Sequence, residues 1–102
     1  MHEIIDLLAV RLHEACKSGK LYPDPRLGQG ERLLNHFVTD FMTQLFKQYN
    51  QGDINKIKEK LEIALNRLAQ MGYVRQGKSG LREFPILTRQ GLEYFFVHDK
   101  IS

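Results

Sequence analysis

The chain has 102 residues, which is enough for one compact domain and too few for two. Hydrophobic residues make up 42% and charged residues 26% of it, which excludes a disordered chain, and no apolar run approaches the ~20 residues of a membrane-spanning helix. The net charge of +3 is concentrated, because residues 1–52 carry six basic and six acidic side chains whereas residues 53–92 carry eight and four. Such a basic segment suits a surface that faces phosphates, although lysines that only solvate a helix face give the same balance.

The cysteine content and the amino terminus both indicate the cytoplasm. Cys16 is the single cysteine and cannot form an internal disulfide, which fits a reducing compartment. The sequence begins Met-His-Glu-Ile-Ile-Asp, and its early acidic residues are unlike the basic start of a signal peptide. We therefore expect a cytoplasmic protein that does not bind a membrane.

Residues 3–17 form the first predicted helix. Apolar residues recur in it at spacings of three and four, which is the stripe of an amphipathic helix. Leu7 and Val10 lie outside that stripe, so this helix is expected to bury more than one face. Gly19 ends it.

Residues 18–30 are predicted to be an irregular connection within the domain, because they hold three glycines and two prolines. The favoured interpretation is an ordered crossover, since loops need apolar anchors to stay ordered. The expected anchors are Leu21, Tyr22 and Leu27. A second interpretation is a contact with a nucleic-acid backbone or a partner, because Lys20 and Arg26 flank Tyr22.

Residues 31–49 and 54–71 are the two strongest predicted helices, each with a broad apolar stripe. Asn50-Gln51-Gly52 is predicted to form the turn between them, and Asp53 to cap the second helix. Gly72 then ends that helix. Its core face is predicted to include Leu61, Leu65 and Leu68.

A β-hairpin and a last helix follow. Tyr73–Arg75 and residues 84–87 are strand candidates, with the hairpin tip at residues 76–82. Pro85 cannot donate to a ladder, so its strand is expected to be an edge or to be paired on one side only. Thr88 is the predicted N-cap of a helix over residues 89–98.

The last helix also predicts a dimer. Leu92, Phe95 and Phe96 are expected on one side of it and Tyr94 and Val97 on the other, so one core cannot cover them all. Exposed apolar surface on a small domain usually marks an interface. We expect a homodimer joined through the terminal helices.

The predicted fold class is mainly α with a small β-hairpin, in the order helix, loop, helix, turn, helix, hairpin, helix. We expect a single domain over residues 1–102. Its first helix and loop occupy residues 1–30, and the helix-turn-helix, wing and last helix occupy residues 31–98.

Residues 36–96 resemble the winged helix-turn-helix domain of MarR-like and PadR-like bacterial transcriptional regulators. The resemblance is carried by Leu65, Leu68, Met71-Gly72-Tyr73-Val74, Arg82 and Leu87-Thr88-Arg89-Gln90-Gly91. It implies that the leucines seat a recognition helix, that the glycine ends it, and that the Leu-Thr-x-x-Gly unit returns the chain from wing to helix. It implies four helices plus a wing.

The same resemblance implies that the chain binds double-stranded DNA as a transcriptional regulator, with the second helix of the pair in the major groove. Lys56, Lys58, Lys60 and Arg67 are expected to approach the groove or its phosphates. Asn55 is the candidate for reading bases. Lys78, Arg82 and Arg75 are expected to serve the wing.

The sequence leaves one alternative to DNA binding and argues against an enzyme. Glu59 and Glu62 give the second helix a mixed charge, so the alternative is a protein-binding winged helix that acts as a scaffold or assembly subunit. An enzyme is not expected, because no two histidines lie four residues apart and Cys16 has only His13 nearby. Accordingly we expect no cofactor, no metal ion and no catalytic residue.

Overall fold

A computed structural model describes residues 4–49 and 54–101 and contains four helices and a three-stranded antiparallel sheet. The elements in chain order are α1 (Ile4–Ser18), β1 (Arg32–Leu33), α2 (Asn35–Gln48), α3 (Ile54–Gln70), β2 (Val74–Ser79), β3 (Arg82–Leu87) and α4 (Arg89–Val97). The strand order in the sheet is β1-β3-β2. The predicted fold class is confirmed: the domain is mainly α, and the β2–β3 hairpin forms a wing beside four helices.

The hydrophobic core joins all four helices to the sheet. α1 lies at its centre, with Leu8, Ala9 and Leu12 fully buried, and it packs against α3 and α4. Phe95 of α4 and Leu68 of α3 are likewise inaccessible to solvent. Burying each such side chain contributes about 1.5–3 kcal/mol, so the apolar stripes of the sequence determine which helix faces meet. No helix in residues 4–49 or 54–101 has the length and apolar character needed to cross a bilayer.

The predicted start of the second helix at residue 31 is wrong. Arg32 and Leu33 form β1 and pair with Leu87 and Ile86 of β3, and α2 begins only at Asn35. The peptide N–H of Leu34 donates to the carbonyl of Pro85 at 3.1 Å. These residues are extended because β3 offers them backbone partners, an interaction that outweighs their helical spacing.

The strand of Pro85 was expected to be an edge or to be paired on one side only, and this is wrong for the strand as a whole, because β3 is central and pairs with both β1 and β2. β1 is only two residues long, however, and its pairing with β3 covers Ile86 and Leu87 but not Pro85. On the other side Pro85 pairs with Gln76 of β2. The proline is therefore tolerated at the point where the short strand stops, in keeping with its missing N–H.

The hairpin is longer and its turn tighter than the sequence predicted. β2 runs to Ser79, which pairs with Arg82, so the turn contains only Gly80 and Leu81. Gly80 has a φ of 64° and Leu81 has a negative φ, the sign pattern of a type II′ turn, which requires glycine first. Gly77, expected in the tip, is buried in β2, where a Cβ would lie 2.6 Å from Cδ1 of Ile86.

The junction between α3, the wing and α4 is built from backbone groups and one hydroxyl. The N–H of Tyr73 donates to the carbonyl of Leu68 and that of Gly72 to the carbonyl of Ala69, a Schellman motif with Gly72 at φ 84°. The predicted N-cap is confirmed, because Oγ1 of Thr88 accepts from the N–H of Gly91 at 3.0 Å. The same hydroxyl donates to the carbonyl of Gly72 at 2.6 Å.

Three apolar side chains lie elsewhere than expected. Leu65 is half-buried at the margin of the α3 stripe, not inside the core. Phe96 is 53% exposed, because Gly91 and Phe95, one helical turn apart, face the core instead. Tyr22 is 59% exposed and is held by its backbone bridge to Leu33, whereas the other expected loop anchors are buried or half-buried. The predicted turn at 50–52 and the cap at Asp53 lie outside the described residues.

Gly91→Ala should destabilise the fold, since a Cβ at this position would overlap the carbonyl oxygen of Tyr73 and lie 2.8 Å from Cδ1 of Leu87. We expect a loss of about 1–3 kcal/mol in the free energy of unfolding, measured by urea denaturation. The control is Gln90→Ala, an exposed change in the same turn of α4, which should stay within about 0.5 kcal/mol of the native value. Equal stability of the two variants would contradict the close packing of α4 on Tyr73.

Candidate nucleic-acid interface

The outer surface of α3 is divided by helical spacing into separate flanks. Its buried side is formed by Ile57, Leu61, Ala64 and Leu68, which face the core. At 3.6 residues per turn, positions separated by four, seven and eleven residues lie along one side of a helix. These positions after Lys56 hold Lys60, Ile63 and Arg67, and all four side chains are exposed. We call this row the basic flank.

Two of the predicted DNA-binding residues on α3 lie off the basic flank. Lys58 follows Lys56 by two residues, about 200° around the helix axis, and so lies on the opposite flank. Asn55 lies near the middle of the outer surface, with Glu59 one turn after it. Both side chains are exposed. The structure therefore brings together three of the five predicted α3 residues.

Within the described residues, the cations of α3 have no ionic partner, because no lysine or arginine of the helix forms an ion pair with a carboxylate. Exposed cations that have no internal partner keep their full charge available to an anionic ligand. Four basic side chains against Glu59 and Glu62 leave the helix with a net positive charge of two.

Arg75, predicted to serve the wing, is instead engaged by Glu31. Its Nε and Nη2 donate to the two carboxylate oxygens at 2.7 and 2.8 Å, the bidentate geometry that favours such pairs. The hydrogen bond from Arg75 lowers the pKa of Glu31 to about 2. Glu31 also accepts from the N–H of Gly28, so the carboxylate ties the loop to β2. A DNA contact by Arg75 would have to compete with this pair.

The two other predicted wing residues lie on opposite faces of the hairpin. Lys78 is opposite Glu83 and forms an exposed ion pair with it at 3.8 Å, a contact of little energetic weight. Arg82 pairs in register with Ser79, and adjacent register positions project to alternate faces. Arg82 forms no ion pair within residues 4–49 and 54–101.

The loop between α1 and β1 lies beside the wing and is paired to it through Glu31 and Arg75, a position that the sequence did not reveal. Its Leu27 lies with Phe84 and Ile86 around a cleft of about 330 Å³ beside the hairpin. The Asp24 carboxylate accepts from the Arg26 guanidinium at 2.8 Å, and this hydrogen bond lowers the pKa of Asp24 to about 2. The loop is therefore ordered by local ion pairs as well as by apolar anchors.

A second and larger cleft, of about 800 Å³, lies between the end of α1, the start of the loop and α2. Its lining includes two basic residues, Arg11 and Lys20, and two acidic ones, Glu14 and Asp40, and none of its lining residues belongs to α3 or the wing. It is therefore separate from the basic flank.

Comparison of the chain with protein-family models, curated proteins and solved structures gave no match. The function of this surface is therefore inferred from its own residues. The surface has three aligned, exposed cations on α3, an exposed isoleucine between them, and a wing with a cation on each face.

The Glu31–Arg75 pair should make the free energy of unfolding depend on pH in the acidic range. Because the pKa of Glu31 is lowered in the folded state from 4.5 to about 2, its contribution is complete above pH 4.5 and is lost as the pH falls towards 2. We expect the stability difference between the native protein and Glu31→Gln to shrink across this window, measured as urea midpoints at a series of pH values.

Stability is compared between the native protein and Glu31→Gln, and not followed in the native protein alone, because the pKa of Asp24 is also lowered to about 2. Asp24→Asn is the matched control, and it should leave the contribution of Glu31 in place. A difference between native and Glu31→Gln that stays constant from pH 5 to pH 2 would show that the pair does not lower the pKa of Glu31.

Proposed function

We propose that this protein binds double-stranded DNA through α3 and the wing, as a winged-helix transcriptional regulator. The observation that carries the proposal is the basic flank: Lys56, Lys60 and Arg67 are aligned, exposed and without an ion-pair partner among the described residues. Phosphate neutralisation supplies most of the affinity of non-specific DNA binding. Three free cations in a row suit that role.

The dimensions of the basic flank suit the major groove. Lys56 and Arg67 are eleven residues apart, which corresponds to about 16 Å along the helix axis. The major groove of B-DNA is ~12 Å wide and admits an α-helix. The two end cations can thus contact phosphates on the two sides of the groove while Ile63, between them, faces the bases. An apolar side chain in this position can contact a thymine methyl group.

The wing supplies a second point of contact. Arg82 has no ion-pair partner in the described part of the chain, and Lys78 is held only by an exposed pair. Contacts of this kind position a protein on the duplex without reading its sequence. Arg75 contributes less directly, by fixing the wing to the loop through Glu31.

A second candidate function is the binding of a protein partner through the same helix. It is favoured by Ile63, which is 60% exposed, and by Glu59 and Glu62 on the outer surface of α3. An exposed apolar residue surrounded by both signs of charge is typical of a protein interface. The affinity for such a partner would depend only weakly on salt, and the protein would not bind random-sequence duplex DNA.

Salt-dependent binding to a random-sequence duplex tests the proposal. We expect affinity to fall steeply between 50 and 200 mM salt, and Lys60→Gln and Arg67→Gln each to reduce the slope of log K against log salt by about 1 for each protomer bound. Both side chains are exposed, so the fold should be retained. The measurement is fluorescence anisotropy at several salt concentrations.

The matched control is Lys17→Gln, which removes one exposed positive charge from the end of α1. It should leave the slope unchanged within error. No binding at 50 mM salt would refute the proposed function and leave the protein-binding candidate. An equal loss in Lys17→Gln would show that net charge matters and that the basic flank does not.

We also propose that the protein is a homodimer joined through its terminal helices. On α4, Phe96 and Val97 are 53% and 67% exposed, and Val10 on α1 is 38% exposed. α1 and α4 pack together, and Nδ1 of His13 donates to the carbonyl of Phe95 at 2.8 Å. A two-fold pair would place two copies of α3 in successive major grooves ~34 Å apart.

Light scattering at micromolar concentration should give twice the mass of one chain, and Phe96→Glu should give the monomer mass with unchanged circular dichroism. Charge in place of exposed apolar surface removes the gain from burial. The control is Ile63→Glu, a similarly exposed residue on α3, which should remain dimeric. A native protein that stays monomeric at high micromolar concentration would exclude the dimer.

A further inference from the structure

The wing tip displays an apolar side chain that lies outside the hydrophobic core. Leu81 is fully exposed, more so than the other exposed large hydrophobic residues of the described chain. The turn does not need it, because the conformational demand of a type II′ turn falls on Gly80. Polar residues are the usual choice in such turns. A leucine here exposes apolar surface to water without any contact that offsets it.

A basic residue lies near Leu81 on each face of the hairpin. Arg82 follows it directly and lies on the face that Ser79 shares, whereas Lys78 lies on the opposite face, where it forms an exposed ion pair with Glu83. The tip is only two residues across, since Ser79 and Arg82 already pair in the ladder. The wing therefore ends in a narrow apolar point, with Arg82, which has no ion pair among the described residues, on one side and the exposed pair of Lys78 and Glu83 on the other.

We propose that Leu81 is a wedge that enters the minor groove of duplex DNA and partly unstacks one base step. The minor groove is ~6 Å wide and admits a narrow element, and apolar side chains inserted there kink the duplex. Arg82 and Lys78 then contact the phosphates on either side. This inference rests on the proposed function, because the duplex must also be held by the basic flank of α3.

A protein pocket would accommodate the leucine but would not account for its two cations. Duplex DNA accounts for both, since an apolar step lies between two rows of phosphates. The same wedge would make binding sensitive to how easily a base step unstacks.

The experiment compares two short duplexes that differ by one central mismatch. A mismatched step is already partly unstacked, so the native protein should bind that duplex roughly tenfold more tightly than the fully paired one. Leu81→Ala should reduce the preference to less than about twofold, and Leu81→Met, which keeps an apolar side chain of similar volume, should retain it. Energy transfer between dyes on the duplex ends should rise on binding of the native protein and not of Leu81→Ala, because an inserted apolar side chain kinks the duplex.

The outcomes separate the two proposals. Salt-dependent binding by the native protein with no mismatch preference and no change in energy transfer would overturn the wedge and leave the proposed function intact. Absence of salt-dependent binding to both duplexes would overturn both. Loss of the preference in Leu81→Met as well as in Leu81→Ala would also overturn the wedge, because it would show that apolar character is not what the DNA recognises. Matching circular dichroism and urea midpoints of the three proteins confirm that each is folded.

Discussion

One hydroxyl group, Oγ1 of Thr88, sets the geometry on which the other features of this domain depend. It donates to the carbonyl of Gly72, where α3 has just ended, and accepts from the N–H of Gly91 in the first turn of α4. The N–H of Thr88 also donates to the carbonyl of Tyr73 at 2.9 Å. The end of one helix, the base of the hairpin and the start of the next helix are thereby joined within a few ångströms. This junction fixes how α3 is oriented relative to α4 and where the wing lies relative to α3.

Local physical chemistry explains which parts of the fold could be predicted from the sequence. The helices α1 and α3 follow from apolar spacing, and the junction follows from a glycine stop and a threonine cap. β1 could not be predicted, because Arg32 and Leu33 are extended only through pairing with β3, more than fifty residues later. Gly77 was predicted to lie in the hairpin tip and lies inside β2 for a related reason. Its position is set by packing against Ile86 and Phe84 of β3, and not by its neighbours in the chain.

The candidate interface shows the same division between local and distant causes. Helical spacing alone separates Lys58 from the basic flank, so the grouping of Lys56, Lys60 and Arg67 was contained in the sequence. The engagement of Arg75 was not, since Glu31 lies 44 residues before it and belongs to a loop without a regular pattern. The exposure of Phe96 depends on the fit of Gly91 against the backbone of Tyr73, which no periodicity reveals.

The way in which α3 ends has a consequence for how this protein can diverge. The helix is fastened at its carboxyl end by peptide groups, those of Leu68, Ala69 and Tyr73, and along its length by one apolar side. Its outer positions take part in neither attachment. Mutations at these positions can therefore accumulate at almost no cost in stability, and a descendant of this chain can acquire a different ligand while inheriting an unchanged scaffold.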